Sequence, residues 1–423
     1  MRCEPDRRVR HYPRVSSGDD TTWDGPTQDG PAGQAAESTP ATKTVATDAD
    51  LAAPANDPSS APATVLATEL DEAFPAPSPQ ELAVDEANAT RNLWRGLASL
   101  AMLVALVAGL LLAVPGLHEV GHHIAHMAVA FLVAGVLFEV LSCIGYVIAF
   151  LQVFDRAPIR FATRVALSEL AFGAAVSLGG AGSVAIGVLL LTERGLSAGR
   201  VAERSAVLFL LTSAINVITL ACAGLLPWLG LVPGSSNPLL TLVPGLIGVL
   251  VFVGFWLLPA GADRFLARRS DGKVAIAVRT TAETVRSTEK ILFTSDWRLL
   301  GAFAFLWADI TVLVLCFWAL GVHPPIATIV LAYQIGYLSN LIPIPGGIGV
   351  LDGSFIGLFV LYGVHATAAT SATIVYHAIS LWVPAMWGTA AFLLLRKQRT
   401  QPITLRPPRS ERRAERAKRR IEP

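Results

Sequence analysis

The chain has 423 residues, of which 53% are hydrophobic and only 15% charged. A mean hydropathy of +0.53 excludes an ordinary soluble domain and points to a membrane. The formal net charge of +1 hides an acidic head and a basic tail. No G-x-x-x-x-G-K-[ST] motif occurs, so P-loop ATP chemistry is excluded, and uphill work would draw on an ion gradient or a partner ATPase.

Residues 1–90 hold 16 acidic and 6 basic side chains among many Pro, Ala, Ser and Thr. Such a segment buries too little apolar area to fold and is expected to be disordered. It has no apolar run of signal-peptide type. A polytopic membrane domain is expected over 91–397. Six stretches have the roughly 20 apolar residues a spanning helix needs: 94–114, 128–153, 205–229, 238–262, 299–320 and 367–395. Two further apolar regions, 160–193 and 325–362, are interrupted by glycine clusters: Gly179, Gly180 and Gly182 in the first, Gly346, Gly347 and Gly349 in the second. The clusters lie 167 residues apart, and a lone glycine follows each (Gly195 and Gly363). The uninterrupted pieces, about 15–17 residues, reach roughly 22–26 Å, short of an approximately 30 Å hydrocarbon core. Each region is therefore expected to be a re-entrant helical hairpin, with two short tilted spans as the alternative.

Positive charge sets the orientation. Arg91 and Arg95, then Arg156, Arg160 and Arg164, then Arg194, Arg200 and Arg204, then the Arg- and Lys-rich loop 263–298, all fall on one side. The loops at 115–127, 230–237, 321–325 and 363–366 carry no Lys or Arg. Both termini are thus expected in the cytoplasm of a bacterial cell, at its inner membrane. The tail 398–423 is expected to be a basic cytoplasmic anchor, in contact with anionic headgroups on the sharper reading. Under this topology the first hairpin enters from the cytoplasm and the second from outside. The segments at about 128–229 and 299–395 then form inverted repeats, the arrangement that suits alternating access.

Ionisable side chains inside apolar spans are functional candidates. They are Glu139, Asp309, Glu169, Asp352 and His377, with Asn216, Gln334 and Asn340 as polar points. Helix-to-helix hydrogen bonding is the plainer role for several of them. Asp352 is expected near the start of the half-helix released by Gly349, where the helix dipole favours a carboxylate. No Lys or Arg lies deep in a span, so an anionic lipid phosphate would rely on half-helix N-termini. The cysteines (Cys3, Cys143, Cys222, Cys316) have no metal or disulfide spacing. His118-Glu119-Val-Gly-His122 matches H-E-x-x-H, and Asn340, Pro343 and Leu351-Asp352-Gly353 suggest a site-2 intramembrane protease. Against that reading, His118–His122 falls in an outside loop and the Asn-to-Asp spacing of 12 is long.

The run Pro343-Ile-Pro345-Gly346-Gly347-Ile-Gly349-Val350, the later Tyr362-Gly363-Val364, Tyr376-His377 before Trp382-Val-Pro384, and Glu139-Val-Leu-Ser142-Cys-Ile-Gly145-Tyr146 resemble the transmembrane, flippase-like region of lysylphosphatidylglycerol synthases. The resemblance covers about 92–397. It implies a lipid-translocating role, with Gly346, Gly347, Gly349 and Asp352 as helix breakers and site lining. The family usually has Glu at the position of Asp352 and often Arg at that of His377. Nothing resembling the soluble aminoacyl-transferase domain is found, so a non-enzymatic, stand-alone member is expected. It would have lipids as partners and no cofactor, metal or nucleic acid; a homo-oligomer is left open. The alternative is a membrane scaffold whose tails recruit partners.

Overall fold

The computed structural model describes residues 79–113, 118–175, 181–235, 237–268, 272–294, 296–338 and 348–398. Among the described residues there are twelve α-helices and no strands. They are α1 (Pro79–Ala113), α2 (His118–Ala125), α3 (Val129–Val153), α4 (Ile159–Ala175), α5 (Ala181–Thr192) and α6 (Ala198–Trp228). Then follow α7 (Leu242–Leu266), α8 (Lys273–Leu292), α9 (Leu299–Ala319), α10 (Ile326–Tyr337), α11 (Ile348–Leu361) and α12 (Ala366–Lys397). The chain is an all-α, polytopic membrane protein. Helices α3, α6, α7, α9 and α12 are each long and apolar enough to cross a bilayer, close to five of the six expected spans. The sixth, 94–114, lies on α1, which begins at Pro79, inside the stretch expected to be disordered. The remainder of the head, most of the tail, and Gly179, Gly180, Gly346 and Gly347 lie outside the described residues.

Each glycine-split region contains two short helices: 17 and 12 residues in α4 and α5, 12 and 14 in α10 and α11. At about 1.5 Å per residue they measure roughly 18–26 Å, less than an apolar bilayer core of about 30 Å. Gly182 and Gly349 fall in the first turns of α5 and α11. Those helices end alike. Gly195 and Gly363 both have φ of 87°. The Gly195 N–H donates to Thr192 O and the Leu196 N–H to Leu191 O. The Gly363 N–H likewise donates to Val360 O and the Val364 N–H to Phe359 O. Both are Schellman caps, which need a left-handed residue that glycine supplies without strain.

The centre of the bundle is the pair α3 and α9, packed along their whole length. They run antiparallel. The Ala128 N–H donates to Ala319 O (3.0 Å) at one end, and Arg298 Nη1 to Leu151 O (3.1 Å) at the other. Between these, Ser142 Oγ donates to Phe305 O (2.8 Å). The backbones meet closely because Gly145 faces Gly301. A Cβ on Gly145 would stand 2.5 Å from Phe305 N and 2.7 Å from Gly301 O. Small residues at a crossing let membrane helices gain van der Waals contact where no hydrophobic force draws them together.

The hairpins then pack across: α4 lies on α12, and α10 on α6. Gly388 of α12 makes the first of these contacts possible, since a Cβ there would meet the Leu167 carbonyl and the Ala171 side chain. Helix α8 lies in the basic loop 263–298. It is amphipathic and sets Ala275, Ala282 and Val285 inward against α6 and α7.

Candidate functional site

The site forms where α3, α9, α10 and α12 converge. Asp309 projects from the middle of α9 and is 8% exposed. Its Oδ2 accepts hydrogen bonds from two tyrosines, Tyr333 of α10 and Tyr376 of α12 (2.8 Å for the latter). The Tyr376 hydroxyl also lies 3.0 Å from that of Tyr337. Glu139 of α3, 4% exposed, faces Asp309 across the α3–α9 contact. The antiparallel α3–α9 pair brings them face to face: the contact is one turn beyond the Ser142–Phe305 hydrogen bond. Buried polar groups in a membrane persist when they find partners, and a carboxylate held by two hydroxyls is a well-satisfied one.

A second acid lies beside this cluster. Asp352 Oδ1 pairs with His377 Nδ1, tying α11 to α12. The His377 ring stacks on Phe355 (5.5 Å between centroids, 20° between planes). Phe355 also meets Tyr333, Tyr337 and Tyr376, so one aromatic platform underlies both clusters. Phe355 fits because Gly336 faces it; a Cβ on Gly336 would meet the ring. Asp352 is not in the first turn of its half-helix, since α11 begins at Ile348. Its bond is to the imidazole, and the dipole expected to favour it acts one turn away.

Glu169 stands apart from this group. It is buried in α4 and accepts a hydrogen bond from Tyr146 Oη of α3 (2.6 Å). Its carboxyl occupies the space left by Gly187 of α5, whose Cβ would meet Glu169 Oε1. The two hairpins thus use one device with the parts exchanged. Glu169 and Gly336 are 167 residues apart (336 − 169), and Gly187 is 167 before Ser354, the neighbour of Phe355. In the first hairpin the large side chain is on the incoming leg and the glycine on the outgoing one; in the second the order is reversed.

Of the expected residues, then, Glu139, Asp309, Asp352 and His377 come together and Glu169 does not join them. Asn216 Nδ2 donates to Thr212 O within its own helix (3.0 Å). Asn340 lies outside the described residues. Tyr333, Tyr337 and Tyr146 were not read from the sequence as site residues. The signal available was Tyr333-x-x-x-Tyr337, an i, i+4 pair in an otherwise apolar run. In the H-E-x-x-H segment the His122 ring stacks on His126 (4.0 Å), and His123 Nδ1 lies 2.7 Å from Glu119 O. Among the described residues no group of three or more His, Cys, Asp or Glu is arranged to hold a metal. A concavity of about 660 Å³ opens between α7 and α8, beside Leu258, Phe265, Val274 and Thr281, and none of the expected residues lines it.

The model of the lysylphosphatidylglycerol synthase TM region matches residues 97–388. The chain belongs to that family. Over 97 residues, 22% of the chain, it is also 36% identical to a UPF0104 membrane protein of Methanothermobacter thermautotrophicus. That match spans 28% of the relative's length. All of the site residues lie inside the family's matched stretch, from Glu139 to His377.

Proposed function

We propose that this member of the lysylphosphatidylglycerol synthase TM region family is a flippase-like protein. It moves a phospholipid or other lipid headgroup between leaflets, without itself carrying out a chemical step on it. It works in the bacterial inner membrane with both termini in the cytoplasm and its two halves as inverted repeats. The antiparallel run of α3 and α9 and the crossed packing of the hairpins support this reading.

One observation carries it. Asp352 lies three residues after Gly349 in α11, and its side chain keeps 25% of its surface exposed against 8% for its partner His377. Asp352 is therefore the acid a headgroup reaches, whereas Glu139 and Asp309 are sealed behind it. A phosphate would meet the N-terminal amides of the half-helices, and a headgroup amine would exchange with the imidazole at Asp352.

The test is leaflet exchange of fluorescent phospholipids in proteoliposomes, followed by dithionite quenching, across anionic, zwitterionic and aminoacylated headgroups. Exchange of at least one headgroup above the protein-free rate is expected, with a preference among them. Equal rates for all headgroups and for empty vesicles would reject the proposal.

A further inference from the structure

We propose that the Glu139–Asp309 pair is a proton-binding site, connected by tyrosine hydroxyls to the C-terminal end of α10. Two hydroxyls donate to the same oxygen of Asp309, which favours its ionised form over that of Glu139. Glu139 faces it from α3. Two ionised carboxylates in contact, away from water, repel strongly. One proton on Glu139 turns that repulsion into an O–H···O⁻ bond.

Among the described residues no lysine or arginine acts on the pair to do this instead. The ionisable groups that act on the pair are Tyr333 and Tyr337 from α10, Tyr376 and His377 from α12, and Cys143 and Cys316 from α3 and α9. His377, the one candidate cation among them, is engaged through Nδ1 with Asp352. Glu139 Oε2 and His377 Nε2 are buried with no hydrogen-bond partner, and both residues are more than nine-tenths buried. These are open positions for a proton to arrive at or leave from.

A route is present. Asp309 connects to the Tyr376 hydroxyl, and that to the Tyr337 hydroxyl. Tyr337 is half-buried at the end of α10, beside exposed Leu338. The proton holds α3 of the first half to α9, α10 and α12 of the second. Its loss therefore acts on the contact between the halves. That a proton gradient drives lipid movement in this way rests on the translocation reading above.

Infrared difference spectra of the full-length protein in lipid, wild type against Glu139→Gln at neutral pH, decide the site. A protonated-carboxyl C=O band, shifted in D2O and absent from the variant, is expected; no such band overturns the site. Should Glu139→Gln not fold, Tyr376→Phe keeps both carboxyls. It should retain the band but slow its H/D exchange, and unchanged exchange kinetics overturn the route. Leaflet exchange under an imposed pH gradient decides the coupling. Wild-type exchange should follow the gradient, and exchange in Glu139→Gln should ignore it. Wild-type exchange indifferent to the gradient overturns coupling while translocation stands. A clear band without any exchange rejects translocation and leaves the proton site in place.

Discussion

Glu169 and Gly187 form the most sharply testable contact in the bundle. The glycine is required by the carboxylate across from it: any Cβ at 187 meets Glu169 Oε1, and the acid is fixed by its bond to Tyr146. Gly187→Ala should cost about 1–3 kcal/mol of overpacking. Glu169→Ala in the same chain should recover most of it, seen as a non-additive pair in thermal unfolding. Additive losses would show that the two residues do not press on each other. At this scale the sequence was only partly legible. Buried acids are conspicuous in apolar spans, so Glu139, Asp309, Glu169 and Asp352 stood out. Their partners did not, because Tyr146, Tyr333 and Tyr337 are ordinary residues of an apolar helix until folding brings a carboxylate to the hydroxyl. That Glu169 packs against Tyr146 and Gly187, apart from the other acids, was not legible for the same reason, since depth in a span says nothing about which face of which helix a side chain is on.

Helices were far more legible. The apolar runs marked α3, α6, α7, α9 and α12 to within a few residues at most ends, because length in a bilayer is fixed by its thickness. Gly195 and Gly363 signalled matching helix ends, and both are left-handed caps. What a run of apolar residues does not encode is its partner. The choice of α9 for α3 depends on two glycines, Gly145 and Gly301, each unremarkable alone. The antiparallel register gives a direct prediction. In a background without other cysteines, the pair Ala128→Cys and Ala319→Cys should form a disulfide on mild oxidation, since backbone atoms of these residues are hydrogen-bonded at 3.0 Å. Ala128→Cys with Leu299→Cys, at opposite ends of the pair, should not. The reverse result would mean that the two helices run parallel.

At the scale of the whole molecule the two halves are interleaved. Each hairpin's incoming leg rests on the last helix of the other half, so neither half closes its own core. Under the translocation proposal one half would shift against the other, and contacts between them would feel that shift first. The group between them is Glu139 with Asp309, linked to the tyrosines of α10 and α12; Asp352 of α11 pairs with His377 of α12 within the second half. Asp352 is the exposed member and carries the central claim. The measurement to make is dithionite-monitored leaflet exchange in proteoliposomes holding equal amounts of folded wild-type protein or Asp352→Asn. We expect wild-type exchange above that of empty vesicles and a fall of tenfold or so in the variant, about 1.4 kcal/mol of lost interaction. Equal exchange by both proteins would remove Asp352 from the lipid path and the claim with it.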